Sequence, residues 1–438
     1  MVKRLLITPF QRFVTTESFS GVILFTATVL ALIWANTHFG DIYQSIWQYK
    51  LGISTEDYEL SKPLILWIND GLMAIFFFLI GLEIKRELLI GELNSVKKAS
   101  FPFLAALGGM LVPVAFFFLL NRNPETSHAW GISMATDIAF SLAIITLLGK
   151  RVPLGLKIFL TAFAIVDDLG AVLVIAIFYS TSIKWMLLVY GLGLLSVLYF
   201  LSYRQIHAKY LILSFGIVIW FLFLKAGIHP TIAGVLLAFA VPIRQKINIQ
   251  TFSERLCSIS DKIRAAADNN KPILTSEQIE ELDNLEEWTS KVQSPLQQLE
   301  HKLHNWVAFL IMPVFALANS GVVFSNGTAL DTTLSSTIAI SLMAGKFAGI
   351  FLFSWLGVKL GLAALPENTS FWQVMGVSLL AGVGFTMSIF IANLAFPDNQ
   401  LLLDSAKVGI LIGSFVAGVA GFLVLRISGK KPAEAKTP

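Results

Sequence analysis

Charged residues are scarce in this chain of 438 residues, and cysteine is nearly absent. Lys, Arg, Asp and Glu together make up 14% of the sequence, whereas a soluble protein of this size carries about 25%. The one cysteine, Cys257, excludes an intramolecular disulfide. The Lys and Arg residues form no basic patch interleaved with aromatic side chains, so the net charge of +4 does not indicate a protein that binds nucleic acid.

Apolar residues take the place of the missing charges. They make up 55% of the chain, and the mean hydropathy is +0.73. Many lie in runs that approach the roughly 20 residues that a transmembrane helix needs. We therefore expect an all-α polytopic membrane protein with about twelve transmembrane helices. The predicted spans cover residues 18–36, 63–84, 99–120, 128–149, 153–179, 184–203, 210–225, 228–243, 303–324, 334–361, 371–396 and 404–426.

The positive charges orient these spans. With the N-terminus in the cytoplasm, about four times as many Lys and Arg residues fall in cytoplasmic segments as in external ones, in agreement with the positive-inside rule. An even number of spans then places both termini in the cytoplasm.

A polar insert divides the spans into two blocks. Its second half is acidic and has leucines at helical spacing, which predicts one or two amphipathic helices lying against the membrane or a partner. The alternative is a mobile insert. The predicted units are spans 1–8 in residues 1–243 with an external hairpin at about 48–60, the cytoplasmic insert 244–302, spans 9–12 in residues 303–426, and a disordered cytoplasmic tail, 427–438.

Two adjacent carboxylates, Asp167 and Asp168, lie at the centre of the apolar run 153–179. In a helix each would lie roughly 16–21 Å from a helix end, too far for an aspartate to reach a headgroup. A charge at that depth costs at least about 2.5–3.5 kcal/mol. The pair therefore indicates ion or proton movement, and the alternative is a soluble buried helix with a satisfied carboxylate pair.

Two further charges, Asp137 and Lys346, lie deep in predicted spans. A carboxylate partner would keep Lys346 charged, and either Asp167 or Asp168 could provide it. The alternative for Lys346 is a shorter span that leaves it at the interface.

The two halves of the chain share a pattern. Thr136–Phe140 and Thr386–Phe390 both read Thr-x-x-(Ala/Ile)-Phe and follow small residues, among them Gly382 and Gly384. Spans 3–5 and 10–12 therefore look like inverted repeats, each with a broken helix, crossing at mid-membrane. Half-helix ends carry about half a charge each, so facing N-termini need an anion and facing C-termini need a cation. Asp137 and Lys346 have the required signs.

Four motifs together resemble the NhaA-type Na⁺/H⁺ antiporters of bacterial inner membranes, which are themselves inverted-repeat transporters. They are Ala135–Phe140, Ala164–Gly170, Gly345-Lys346 and Gly384–Phe390. The resemblance covers nearly the whole chain apart from much of 244–295 and the tail. It implies pH-regulated, electrogenic exchange of cytoplasmic Na⁺ or Li⁺ for external H⁺, with no cofactor, in a lipid-embedded homodimer joined through the external hairpin.

The resemblance also implies roles for individual residues. Asp168 is the expected main ligand of Na⁺ or Li⁺, and Asp167 is the expected second carboxylate and partner of Lys346. Residues that frame the site are Thr136, Asp137, Gly382, Gly384 and Thr386. A cluster linked to cytoplasmic entry and pH response comprises Glu83, Arg86, Glu87, Glu300, His301 and His304, and His229 matches a further pH-linked position. A solvated histidine titrates near neutral pH in any case, so a purely structural role remains the alternative for each.

The expected mechanism is competition at one site. Na⁺ is a hard cation that binds oxygen, which Asp168 supplies with help from Asp167 and backbone carbonyls. Protonation removes the ligand charge, so Na⁺ and H⁺ exclude each other, and the carboxylates titrate with Lys346 as one coupled unit. If more than one proton returns per Na⁺, exchange is electrogenic.

Three other functions compete with exchange. A Na⁺-coupled solute symporter of related fold would need a larger polar cavity than the Ala, Gly, Val and Phe residues around the site suggest. An intramembrane aspartyl protease needs two carboxylates about 3 Å apart on separate helices. For a membrane sensor that does not transport ions, the sequence offers no supporting feature beyond the insert. A channel is disfavoured if Lys346 fills the site as a paired charge.

Overall fold

The computed structural model describes residues 9–54, 59–180, 183–204, 209–265, 275–324 and 330–429, and these are mainly helical. The helices of the first half are α1 (Pro9–Ala35), α2 (Gly40–Gln48), α3 (Leu64–Trp67), α4 (Met73–Ile90), α5 (Val96–Leu120), α6 (Ile138–Leu147), α7 (Leu154–Phe178), α8 (Trp185–Tyr203), α9 (Lys209–Ala226) and α10 (Pro230–Ala240). Those of the second half are α11 (Ile249–Ala265), α12 (Ser276–Val292), α13 (Pro295–Trp306), α14 (Met312–Asn319), α15 (Thr332–Ile340), α16 (Lys346–Lys359), α17 (Phe371–Leu380), α18 (Phe385–Ala395) and α19 (Gln400–Ser428).

A short antiparallel hairpin follows α2. Its strands are β1 (Lys50–Ser54) and β2 (Glu59–Pro63), and Lys50 pairs with Pro63. The hairpin predicted at about 48–60 thus extends to Pro63, and residues 55–58 at its tip lie outside the described residues. The predicted tail also lies outside them from residue 430 onwards.

Within the described residues, seven helical stretches are long and apolar enough to cross a membrane. They are Ser18–Ala35, Leu64–Ile90, Val96–Leu120, Leu154–Phe178, Trp185–Tyr203, Thr332–Lys359 and Gln400–Ser428. Two bent helix pairs raise the number to nine if each pair is one span, and Leu211–Ala226 and Pro230–Ala240 are shorter apolar helices. The chain is therefore a multi-pass helical membrane protein, whereas the number twelve stays a prediction.

Three of the long helices contain a π-helical turn. These turns are Ile68–Leu72 between α3 and α4, Val307–Ile311 between α13 and α14, and Ser341–Gly345 directly before Lys346 in α16. A π-turn changes which side chains face a neighbouring helix, and such turns are frequent at functional sites. Here one turn ends directly before Lys346.

The membrane helices can be grouped into two bundles, with α1 in contact with both. The first bundle contains α1, α4, α8, α9, α10 and α14, and the second contains α5, α6, α7 and α15–α19. Within the second bundle, α5 and α16 approach closely because Gly108 faces Gly349: a Cβ on Gly108 would lie 2.2 Å from the Gly349 carbonyl oxygen. Small residues allow this close backbone approach between membrane helices. The two bundles meet where α1 packs on α6, α4 on α7 and α14 on α18.

The insert contains two helices, α11 and α12, which pack against each other. The Lys262 ammonium lies 2.6 Å from Glu281, and the Arg255 guanidinium lies 5.4 Å from the centre of the Trp288 ring. A capping box at Thr275 begins α12. These contacts join the helices to each other, and the expectation that they lie against the membrane or a partner stays a prediction.

Candidate functional site

Two broken helices meet at the boundary between the bundles. The first consists of the 3₁₀ segment Pro124–Met134 and α6, bent by 47°, and the second consists of α17 and α18, bent by 43°. The two breaks contact each other directly, since the Asp137 N–H donates to the Val383 carbonyl oxygen at 2.7 Å. A Cβ on Gly384 would lie 2.4 Å from the Ala135 carbonyl oxygen, so a side chain there would separate the breaks. The sequence places glycine where the backbones touch.

Asp137 lies at the N-termini of two helices. One carboxylate oxygen accepts from the Phe140 N–H of α6 at 3.2 Å. The other accepts from the Thr386 N–H at 3.2 Å and from its hydroxyl at 2.6 Å, at the start of α18. An anion at a helix N-terminus satisfies free N–H groups and offsets the helix dipole. This single carboxylate therefore stabilises both half-helices.

Thr136 and Lys346 lie at the opposite ends of the half-helices. The Thr136 hydroxyl donates to the Ala381 carbonyl oxygen at 3.1 Å, where α17 ends. Lys346 donates from its ammonium to the Thr136 hydroxyl and, at 2.7 Å, to Oδ2 of Asp167. The cation thus lies next to the carbonyl end of α17, where the helix dipole is negative.

The Lys346–Asp167 pair is completely shielded from solvent, with exposed fractions of 0% and 1% for the two side chains. The ammonium also lies 5.7 Å from the centre of the Phe163 ring. A buried ion pair depends on both partners, because removal of either one leaves an uncompensated charge. Of the two adjacent aspartates, Asp167 is therefore the one that neutralises Lys346.

Asp168 has a different environment. It is 8% exposed and lines a cavity of about 50 Å³ between the bundles. Within the part of the chain that the structure describes, Asp168 makes no hydrogen bond or ion pair. Thr136, Asp137, Thr386 and Glu83 also line this cavity, and most of its other lining residues are apolar. The site therefore combines a carboxylate that has no direct partner among the described residues, several hydroxyls and room for a few water molecules.

The cavity volume argues against a solute symporter, and the contacts of the carboxylates argue against an aspartyl protease. Pockets for organic ligands have volumes of about 300–1,000 Å³, well above the 50 Å³ found here. In an aspartyl protease two carboxylates lie about 3 Å apart and share a proton. Here Asp137 is occupied by two helix N-termini and Asp167 by Lys346, so neither provides such a dyad.

Most of the predicted entrance cluster comes together where α4 meets α13. Arg86 bridges two carboxylates, Glu87 at 3.0 Å and Glu300 at 3.1 Å. The His304 ring nitrogen Nδ1 lies 3.9 Å from Glu83, which also lines the cavity at Asp168. Through Glu83, the cluster is therefore continuous with the cavity that contains Asp168.

Glu300 lies on α13 before the apolar part of the helix begins. Its burial raises the pKa of the carboxyl to about 7; the Arg86 cation acts to lower this pKa, and the Glu83 and Glu87 carboxylates act to raise it. Glu300 therefore changes its charge close to neutral pH.

Two predicted histidines lie apart from this cluster. His301 is on the exposed side of α13 and lines a surface groove with residues of α12. His229 precedes α10, where its Nε2 lies 3.8 Å from Asp70. Asp70 is thirteen residues from Glu83 along the α3–α4 helix, or roughly 20 Å. His229 thus belongs to the opposite end of the bundle. Helix α10 runs parallel to α4, so its first residues lie beside Asp70, whereas Phe239 near its end accepts a hydrogen bond from Lys85 near the cluster.

Several serine hydroxyls that hydrogen-bond to the broken helices were not predicted from the sequence. Ser388 donates to the Ile132 carbonyl oxygen at 2.8 Å, Ser141 donates to that of Leu380 at 3.0 Å, and Ser414 accepts from the Gly384 N–H at 3.3 Å. Serines are also common as small packing residues in membrane helices. No pattern in the sequence therefore distinguishes these three from other serines.

Comparisons with known proteins find relatives over nearly the full length of the chain. A family model described as Na⁺/H⁺ antiporter 1 matches residues 11–425. The Na⁺/H⁺ antiporter NhaA of Oleidesulfovibrio alaskensis is 47% identical over 435 residues, covering 98% of this chain and 96% of that protein. The Na⁺/H⁺ antiporter NhaA 1 of Saccharophagus degradans is 45% identical over 431 residues, covering 97% and 93%. The solved sodium proton antiporter MjNhaP1 of Methanocaldococcus jannaschii is 11% identical with a TM-score of 0.46, covering 96% of this chain and 99% of that one.

Proposed function

Because this chain belongs to the Na⁺/H⁺ antiporter 1 family, we propose that its buried carboxylate site is where Na⁺ and H⁺ replace each other. The chain exchanges Na⁺ for H⁺ across a membrane. The proposal concerns how its residues do so: which carboxylate binds the cation, how protons are coupled, and which elements move.

One observation carries the assignment of Asp168. Its neighbour Asp167 is neutralised by Lys346 at 2.7 Å, whereas Asp168 faces the cavity and has no direct partner in the described part of the chain. An anionic oxygen in a hydrated cavity at mid-membrane suits a hard cation such as Na⁺ or Li⁺. Asp168 is thus the main ligand, and the Thr136 and Thr386 hydroxyls, which line the same cavity, help to complete the shell.

Competition follows from the charge of the ligand. When Asp168 is ionised, it attracts Na⁺. When it is protonated, it has no negative charge, and one of its two oxygens is no longer available as a ligand. Asp167 and Lys346 belong to the same coupled titration, since a cation at Asp168 changes the balance of the buried pair. If more than one proton is released from this unit for each Na⁺ bound, each cycle moves net charge across the membrane. Each such charge responds to the membrane potential with about 2.3 kcal/mol per 100 mV.

Alternating access requires the two bundles to move relative to each other. The cavity at Asp168 lies between them, on the side of Glu83 and Arg86, which the positive-inside rule assigns to the cytoplasm. The two bent helix pairs support the proposal that spans 3–5 and 10–12, of twelve spans in total, are inverted repeats. Rocking of the second bundle against the first would expose Asp168 to one side and then to the other.

The remaining proposals concern regulation and assembly. Ionisation of the Glu300 carboxyl near neutral pH, next to Arg86 and Glu87, supports a role of this cluster in pH response. The chain is proposed to lie in a bacterial inner membrane, with both termini in the cytoplasm, and to form a homodimer through the β1–β2 hairpin. It requires no cofactor in this scheme.

A transport assay tests the proposal. Inside-out vesicles are energised by respiration to create a pH gradient, and NaCl, LiCl or KCl is then added at several pH values. We expect Na⁺ and Li⁺ to dissipate the gradient in vesicles that contain the wild-type chain and not in those that contain Asp168→Asn. Equal dissipation by the Asp168→Asn variant would contradict the assignment of Asp168. Dissipation that requires an added organic solute would favour a symporter.

A further inference from the structure

Three asparagines form a hydrogen-bonded cluster at the end of the molecule away from Glu83. Asn69 and Asn319 bond to each other through both amides, at 3.2 and 2.9 Å. Asn393 donates to the same Asn319 carbonyl oxygen at 3.1 Å. Asn69 and Asn319 are buried, and Asn393 is partly buried. The exchange mechanism described above uses none of them.

The cluster joins the two bundles. Asn69 lies in the π-helical turn before α4, and Asn319 is the last residue of α14, so both belong to the first bundle. Asn393 lies on α18, the second half of a broken helix, and belongs to the second bundle. The Asn393–Asn319 bond therefore crosses the boundary along which the bundles would have to separate.

A layer of aromatic rings lies deeper along the same helices, about one turn away on α14 and α18 and about two turns away on α4. Phe390 of α18 contacts Phe77 of α4 and Phe315 of α14, with ring centres 5.6 and 6.3 Å apart. On its other side the Phe390 ring meets His229 edge-on at 5.2 Å. The aromatic layer and the amide layer together separate Asp168 from the end that carries Asp70 and Lys62.

The amide layer is suited to closing reversibly. Uncharged amides bind each other in a buried site without the desolvation penalty of ions, and they also bind water well when the bundles separate. The aromatic layer alone would exclude water but would not fix the relative position of the two bundles. A directional hydrogen bond between α14 and α18 does fix it.

We infer that Asn69, Asn319 and Asn393 form the external seal of the exchange pathway, with Asn393 as the member that must leave for the site to open outward. The inference rests on the proposed movement of one bundle against the other. Weakening the seal should raise the population of the outward-open state. The apparent affinity for external Na⁺ should then rise, because only that state binds Na⁺ from outside.

The first test measures apparent KM for Na⁺ from each side in oriented proteoliposomes. Loss of the hydrogen bond to Asn319 in Asn393→Ala should lower the external KM about two- to tenfold. The cytoplasmic KM should stay nearly unchanged, since the inward-open state remains the major one. The matched control is Asn36→Ala, because the Asn36 amide bonds to Val322 and Phe324 within the first bundle. This control should leave the ratio of the two KM values unaltered.

The second test locks the seal and does not depend on how well Asn393→Ala folds. In a Cys257→Ser background, Asn319→Cys and Asn393→Cys are bridged by a short bifunctional thiol reagent. Bridging should stop exchange, and reduction should restore it. Bridging of Asn69→Cys with Asn319→Cys should leave exchange active, because both lie in the first bundle.

Two results would overturn the inference. One is an external KM that does not fall in Asn393→Ala, and the other is exchange that continues after Asn319→Cys and Asn393→Cys are bridged. Absence of Na⁺-dependent exchange in the unmodified Cys257→Ser parent would instead count against the proposed function, so the two failures can be told apart.

Discussion

The Lys346 ammonium lies 2.7 Å from Oδ2 of Asp167, and both side chains are fully buried. The pair distinguishes two carboxylates that are neighbours in the sequence. Successive residues of a helix point about 100° apart, so Lys346 can contact only one of them closely. Asp167 neutralises the lysine, and Asp168 faces the cavity.

The buried pair predicts strong thermodynamic coupling. Lys346→Gln should destabilise the protein by about 3–5 kcal/mol, because it leaves the Asp167 carboxylate buried without a partner. The double variant Asp167→Asn with Lys346→Gln should recover most of this loss, because both charges are removed together. Thermal unfolding in detergent measures both effects. Additive losses in the double variant would contradict the pairing.

Asp137 should stabilise the protein mainly as a hydrogen-bond acceptor at two helix N-termini, and less through its negative charge. Its oxygens accept from the N-termini of α6 and α18, and loss of one cap costs about 0.5–2 kcal/mol. Asp137→Ala removes both caps, whereas Asp137→Asn keeps an acceptor and should lose distinctly less. The melting temperatures of the two variants are compared with wild type. If Asn and Ala destabilise equally, the capping role is wrong.

The contact between the breaks predicts a size limit at Gly384. Its backbone φ of −113° is accessible to any residue, so the effect of a substitution there is purely steric. Gly384→Ala would place a Cβ 2.4 Å from the Ala135 carbonyl oxygen, and we expect a loss of about 1–3 kcal/mol or more together with impaired exchange. Gly193→Ala on α8 is the control, since nothing lies within 4 Å of its Cβ. Exchange activity at equal protein amounts measures the difference, and full activity in Gly384→Ala would contradict the prediction.

Glu300 predicts a specific dependence of stability on pH. Burial raises the pKa of its carboxyl from 4.5 to about 7, so the folded state holds this proton more tightly than the unfolded state. Its contribution to stability should therefore be greatest below pH 4.5 and fall as the pH rises to about 7. The slope is at most about 1.4 kcal/mol per pH unit for one group.

The variant Glu300→Gln should remove this part of the pH dependence. The measurement is the difference in unfolding free energy between wild type and variant at several pH values. Glu286→Gln, an exposed carboxylate on α12, serves as the control. A difference between wild type and Glu300→Gln that does not change from pH 4.5 to 7 would exclude Glu300 as a titrating group there.

The sequence was sufficient to predict the general nature of the site. A charge in the middle of an apolar run is costly, so Asp137, Asp167, Asp168 and Lys346 stood out without a structure. The resemblance to Na⁺/H⁺ antiporters, and with it the exchange of Na⁺ for H⁺, is confirmed by the family match over residues 11–425.

Other features depend on three-dimensional placement and could not be predicted. From the residues alone, Lys346 could pair with either Asp167 or Asp168, because a regular helical period does not anticipate the π-helical turn that precedes the lysine. The predicted orientation does place His229 at the external start of the eighth span, but its contact with Asp70 depends on how α10 packs on α4. Asn69, Asn319 and Asn393 lie far apart in the chain, and asparagine at a helix end usually signals only a cap or a turn. Their cluster appears only when α4, α14 and α18 are packed together.

The most direct test of the central claim is proton release on Na⁺ binding to the purified protein. Na⁺ is added to wild type, Asp168→Asn and the capping variant Asp137→Asn in weakly buffered detergent solution, and the pH change is recorded. If Na⁺ and H⁺ compete for Asp168, wild type and Asp137→Asn should release protons and Asp168→Asn should release none while remaining folded. Proton release from folded Asp168→Asn equal to that of wild type would show that the competition takes place elsewhere.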